Sequence, residues 1–129
     1  MRPKALIVED DPTTRLLLRK MVEAQCCDVE EAPDGGMAIA LLDKNEYSVV
    51  LLDIVLPKVC GTEVLEHLHR TNPALLERVI VVTGLNISEI RKLFPTVCNT
   101  LPKPVMPTRL VDSIQKCLMR GGDEHLMAI

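Results

Sequence analysis

The chain has almost no aromatic residues: no Trp, one Tyr (Tyr47) and one Phe (Phe94), 2% in all. Base-stacking platforms for single-stranded nucleic acid are thereby excluded, and a core must be built from Leu, Ile, Val, Met and Ala. Basic excess is also missing. A formal net charge of -3 with 26% charged residues lacks the electrostatic footprint of a nucleic-acid binder. No run approaches the roughly 18 apolar residues of a membrane span, and the apolar stretch after MRPK is too short for a signal-peptide core. The five cysteines contain no CxxC pair and no His at zinc-ligand spacing, which predicts reduced thiols in a soluble, cytoplasmic protein.

Hydrophobic residues, at 47% of 129, suffice for a single domain with a buried core and no disulfide. Four short apolar runs punctuate the chain: ALIV at 5 to 8, VVLL at 49 to 52, VIVV at 79 to 82 and the weaker VCNTL at 97 to 101. The first three do not alternate with polar residues, the pattern of strands covered on both faces in a parallel sheet. A further short strand is expected around Cys27 to Glu31.

The intervening segments have helical periodicity. Asp11-Pro12 is an N-cap followed by proline at the first helical position, with Leu17, Leu18, Met21 and Val22 as the expected inner stripe. Pro33 to Gly36 turns into a helix whose inward residues are expected to be Met37, Ala40 and Leu41. A third helix carries Val64, Leu65 and Leu68 and stops near Asn72-Pro73. Asn86 or Ser88 starts a short helix through Leu93, and Pro107 opens a last one with Leu110, Ile114, Cys117 and Leu118 inward. Five βα units imply an α/β, open, doubly wound sheet. Ligands of such sheets sit outside the carboxyl ends of the strands.

The residues at those ends are Glu9-Asp10-Asp11, Asp53, Thr83-Gly84 and Lys103-Pro104. Carboxylates gathered on one rim repel by about 4 kcal/mol per pair at 4 Å and an effective dielectric of 20, so a cation must offset them. Hard oxygen donors in this number suit Mg²⁺. Lys103 supplies a point charge and Thr83 a neutral donor for an anion. A carboxylate so supported can attack phosphorus, because phosphoryl transfer rests mainly on positioning and charge neutralisation. Asp53 is the candidate nucleophile.

VEDD at 8 to 11, LLDIVLPKVCG at 51 to 61, VVTG at 81 to 84 and LPKPV at 101 to 105 stand in order over residues 3 to 119, and together resemble the receiver domain of two-component response regulators. The resemblance implies a five-stranded flavodoxin-like (βα)5 sheet of order 2-1-3-4-5, with residues 120 to 129 a tail or the start of a linker. It also implies that Asp53 is phosphorylated by a histidine kinase or phosphotransfer protein. Glu9, Asp10, Asp53 and the backbone carbonyl of Val55 would hold Mg²⁺, with Thr83 and Lys103 completing the site. The downstream partner would be another protein or an output domain beyond this chain, without direct nucleic-acid binding or membrane association. Such a domain assists its own phosphorylation and dephosphorylation without being an enzyme.

Two other functions compete. An aspartyl phosphatase of the haloacid-dehalogenase type would need a second Asp where Val55 stands, and a phosphate-independent interaction domain would be expected to have lost its acids. The chain also departs from the receiver pattern: Cys60 replaces the usual Asp or Asn before the glycine, Thr100 the usual Tyr or Phe, and twenty residues from Thr83 to Lys103 predict that the fourth helix or its exit loop is trimmed. Val55 and Leu85, apolar and two residues beyond Asp53 and Thr83, are expected to restrict attacking water. His67 and His69 fall on different helix faces, which argues against a metal site. GGDE at 121 to 124 has too little chain around it for the cyclic-dinucleotide synthases whose signature it resembles.

Overall fold

The structure, a computed structural model, describes residues 2–84 and 87–120. The expected roles of Leu85, Asn86 and the carboxyl-terminal GGDE therefore lie outside the described residues. Strands and helices alternate: β1 (Lys4–Val8), α1 (Pro12–Glu23), β2 (Asp28–Ala32), α2 (Gly35–Lys44), β3 (Val49–Asp53), α3 (Gly61–Thr71), β4 (Val79–Thr83), α4 (Ile87–Leu93), β5 (Asn99–Pro102) and α5 (Pro107–Arg120). The strands form one parallel sheet of order β2-β1-β3-β4-β5. Among the described residues no helix is long and apolar enough to cross a membrane.

Unalternated strands are explained by burial on both faces. Leu6, Val8, Val50, Leu52, Val79 and Val81 point to one side, where they pack with α2, α3 and α4. Ala5, Ile7, Val49, Leu51, Ile80 and Val82 point to the other, against α1 and α5. Burial of each Leu, Ile or Val side chain contributes about 1.5–3 kcal/mol, so two aliphatic layers replace the aromatics the chain lacks.

Two helices are rotated from their expected phase. In α1, Leu18 and Val22 are buried while Leu17 is 54% exposed. On the flank opposite Leu17, Arg15 and Arg19 pair with Glu31 of β2 at 3.4 and 2.7 Å. In α2 the inward residues are Gly35, Ala38 and Leu42, and Met37 and Ala40 are exposed. Asp34 caps this helix by accepting from the Met37 N–H at 2.8 Å, and Gly35 lies so close to the Val59 backbone that any Cβ would clash. That approach sets the face. A 3₁₀ helix over Pro73–Arg78, absent from the sequence expectation, buries Leu75 and Leu76 between α3 and β4.

The cysteines also correct an expectation. Cys98 and Cys117 are joined in a disulfide with a Cα separation of 6.1 Å, leaving Cys26, Cys27 and Cys60 free. The start of β5 packs beside α5, and a pairing across nineteen residues has no motif by which the sequence could announce it.

Gly61 is the packing position nearest the strand ends. Its N–H donates to the Ile54 carbonyl at 2.8 Å, and a Cβ there would fall 2.6 Å from the Ile54 Cα and closer still to the Asp53 carbonyl. Gly61→Ala is expected to destabilise the domain by about 1–3 kcal/mol in urea unfolding, as overpacking does. Gly36→Ala, facing open space apart from the Asp34 side chain at 3.4 Å, is expected to be neutral or stabilising by up to about 1 kcal/mol.

Candidate functional site

Parallel strands present their carboxyl ends on one rim, and the four inner or late strands deliver the expected residues there. Glu9 and Asp10 follow β1, Asp53 ends β3, Thr83 ends β4 and Lys103 follows β5. Lys103 is held in register by its N–H, which donates to the Thr83 carbonyl at 3.0 Å. Its Nζ then reaches across the rim to Glu9 Oε1 and Asp53 Oδ2, each at 2.8 Å. Glu9 is 1% exposed and Asp53 5%, so this one ammonium serves two carboxylates with almost no access to water.

The second oxygen of each buried acid is also engaged. Asp53 Oδ1 accepts from the Val55 N–H at 3.1 Å, and Glu9 Oε2 from the Asp11 N–H at 3.1 Å. Asp10 projects to solvent. One ligand atom from each of Glu9, Asp10 and Asp53 lies within 4.8 Å of the others, close to the roughly 4 Å that separates opposite oxygens around an octahedral Mg²⁺. The donors fit: all oxygen, excess negative charge, and one carboxylate open to solvent where waters would complete the sphere.

Burial pushes the Glu9 carboxyl above its ordinary range, more strongly than the bonds from Lys103 and the Asp11 N–H pull it down, and neighbouring Asp53 adds to the rise. For Lys103, burial acts to lower the ammonium, but its hydrogen bonds to Asp53 and Glu9 outweigh that and raise it. Glu9 is thus a buried acid that resists ionisation chiefly because it is withdrawn from water.

Sequence reasoning missed two supports. Arg15 on α1 donates to the Glu9 carbonyl at 2.9 Å, fixing the turn that aims Glu9, and its spacing of four from the Asp11 cap is the only sequence signal for it. Gly61 is the other, since its closeness to the Asp53 backbone lets α3 start directly behind the strand end. The departures are also placed. Cys60 is the N-cap of α3 and makes no capping bond; its sulfur lies 2.9 Å from Thr62 Oγ1. Thr100 is 1% exposed and its hydroxyl has no hydrogen-bond partner among the described residues. His67 meets Asp43 at 2.8 Å, a link between α2 and α3.

Comparison with known proteins agrees with this arrangement. A family model described as the response regulator receiver domain matches residues 5–115. The transcriptional regulatory protein CpxR homolog of Haemophilus influenzae is 31% identical over 121 residues, covering 92% of this chain and 52% of that protein. CpxR of Klebsiella pneumoniae is 33% identical over 120 residues, covering 92% and 50%. This chain thus spans about half the length of the curated relatives it matches. Among solved structures, a CheY-like response regulator receiver domain protein from Methanospirillum hungatei superposes with a TM-score of 0.85 at 29% identity, covering 96% of this chain and 99% of that one.

The electrostatics give a signed prediction. A carboxyl raised on folding stabilises the fold below its unfolded pKa, near 4.5, and that contribution is lost as pH rises through the higher folded value. Glu9→Gln, neutral at every pH, is therefore expected to raise the urea midpoint of the metal-free protein at pH 8 and to leave it nearly unchanged at pH 4. A lower midpoint at pH 8 than wild type would show that the Lys103 bond outweighs burial.

Proposed function

The chain belongs to the response regulator receiver domain family, and on that footing we propose that it is a phosphorylation-controlled signalling switch with Asp53 as acceptor. The observation that carries the reading is the single Lys103 ammonium shared at 2.8 Å by Asp53 and Glu9. It sets one cation against Asp53 on a rim where three carboxylates gather. The expected donor is the phosphohistidine of a histidine kinase or phosphotransfer protein. An oxygen of Asp53 attacks phosphorus as the P–N bond breaks, and the departing imidazole takes up a proton.

Glu9, Asp10, Asp53 and the Val55 carbonyl are the residues that would hold Mg²⁺, which when bound neutralises charge on the phosphoryl oxygens and the acids together. Lys103 is suited to exchange one carboxylate partner for a phosphoryl oxygen, keeping its charge in place through the transfer. Thr83, fully buried at the end of β4, is the residue placed to report a new anion to α4. No acid stands where an aspartyl phosphatase needs one, since Val55 occupies that position, and this favours a held phosphoryl group over turnover. Residues 3 to 119 form the receiver unit in this reading. A cytoplasmic setting fits it, with a partner protein or an output domain outside this chain as the reader of the signal.

Incubation with Mg²⁺ and acetyl phosphate is expected to add roughly 80 Da to the wild type and nothing to Asp53→Asn. No gain in the wild type, or an equal gain in the variant, refutes the acceptor. The apolar Val55 side chain, 56% exposed beside the acceptor, offers no group to orient attacking water. Phosphorylated wild type is expected to persist for minutes or longer, and Val55→Asn to lose phosphate several-fold faster, timed by intact mass. Loss within seconds from both would remove Val55 as the cause of persistence.

A further inference from the structure

Of the three carboxylates that meet at the rim, Glu9 and Asp53 are buried and bonded through both oxygens. Asp10 is exposed, and its side chain has no hydrogen bond or ion pair among the described residues. What places Asp10 is therefore the backbone on either side of it. Three groups fix that backbone. The Glu9 N–H donates to the Ala32 carbonyl at 3.1 Å, and the Asp11 N–H to Glu9 Oε2 at 3.1 Å. Arg15 Nη1 donates to the Glu9 carbonyl at 2.9 Å and reaches the Asp10 carbonyl at 3.5 Å. The first two belong to the sheet and to the turn itself, but the third depends on where a long side chain is held.

An acid on another strand holds it. Arg15 Nε lies 3.4 Å from Glu31 Oε1, and the other oxygen of Glu31 is taken by Arg19 Nη1 at 2.7 Å. All three side chains are half-buried, and Glu31 stands on the edge strand β2 opposite Ile7. An ordinary ion pair between helix and strand would need only Arg19. The donors of a guanidinium sit on a rigid fork, so fixing the Nε edge of Arg15 on Glu31 aims an outer nitrogen at the acidic turn.

We propose that Arg15 and Glu31 are positioning residues for the metal-binding acids: Glu31 aims Arg15, and Arg15 holds the turn over 9–11 so that Asp10 is in place before Mg²⁺ arrives. This role presupposes the Mg²⁺ site of the proposed function. Groups that orient a metal's ligands raise its affinity, because the ordering is complete before binding. A guanidinium beside a cation site would by its charge alone weaken Mg²⁺ binding; by holding the turn it strengthens it. The two effects have opposite signs.

The folded chain is titrated with MgCl₂ in the absence of phosphodonor, by calorimetry and by the rise of the urea midpoint over each variant's own metal-free value. Arg15→Met, which keeps an apolar stem, is expected to bind Mg²⁺ about five-fold or more weakly than wild type. Without metal, its amides over 9–11 are expected to exchange faster than those of wild type. Glu31→Gln, with Arg15 intact, is expected to weaken binding about two-fold or more. Glu23→Gln, which removes the same charge from beside Arg19, should leave it unchanged. With acetyl phosphate, the Mg²⁺ giving half-maximal phosphorylation of Arg15→Met should rise with the weakened binding, while the rate at saturating Mg²⁺ stays within about two-fold of wild type. Equal or tighter Mg²⁺ binding by Arg15→Met, unchanged exchange over 9–11, or equal effects of Glu31→Gln and Glu23→Gln would each overturn the proposal and leave the acceptor reading intact. Wild type that takes up no Mg²⁺ would overturn both.

Discussion

Everything at the rim turns on Lys103 reaching Glu9 and Asp53 at once, 2.8 Å from each. Two carboxyl groups this deeply buried are costly to hold side by side without a cation between them, and the two acids and the lysine come from the ends of three different strands. Strand order makes the meeting possible. β3 lies between β1 and β4, and β5 lies beyond β4, so the long lysine side chain, leaving the chain just past β5, spans the width of the rim. The backbone bond from Lys103 to the Thr83 carbonyl fixes its starting point. Local details then follow the same need: Arg15 holds the Glu9 turn, and Gly61 lets α3 begin against the Asp53 backbone.

Much of this was legible in the sequence because it depends on one-dimensional patterns. Unbroken Val, Ile and Leu runs announce strands covered on both faces, and a parallel sheet places whatever follows each run on one rim. Glu9, Asp10, Asp53, Thr83 and Lys103 could therefore be gathered before any coordinates. Helical phase was less legible. Three consecutive leucines at 16 to 18 fit more than one rotation of α1, and the choice was made by Arg15 and Arg19 pairing with Glu31, a contact between elements. In α2 the deciding fact was the closeness of Gly35 to Val59. The Cys98–Cys117 bond and the 3₁₀ helix after Pro73 belong to the same class, since each depends on how elements lie in space.

Readout departs further from the family pattern than the acceptor site does. Thr100 stands where an aromatic ring is usual, and its buried hydroxyl is without a partner among the described residues. The strand around it is restrained instead by polar and covalent links: Arg91 donates to the Thr100 carbonyl at 3.2 Å, the Thr100 N–H turns to Asn99 Oδ1 at 2.8 Å, and Cys98 and Asn99 both tie to α5. Among the described residues α4 spans Ile87–Leu93, and the face beside it rests on these links rather than on an aromatic ring. Cys60, which leaves α3 without a side-chain cap, is a further local loosening next to the loop that follows Asp53.

The central claim is that Asp53, and no other carboxylate of the rim, becomes the acyl phosphate. Borohydride reduces an aspartyl phosphate to homoserine, so peptide mapping of phosphodonor-treated and reduced protein identifies the acceptor directly. The account predicts homoserine at position 53 alone, and only when Mg²⁺ is present during phosphorylation. Homoserine at position 10, or none anywhere in protein that has gained phosphate, would contradict it.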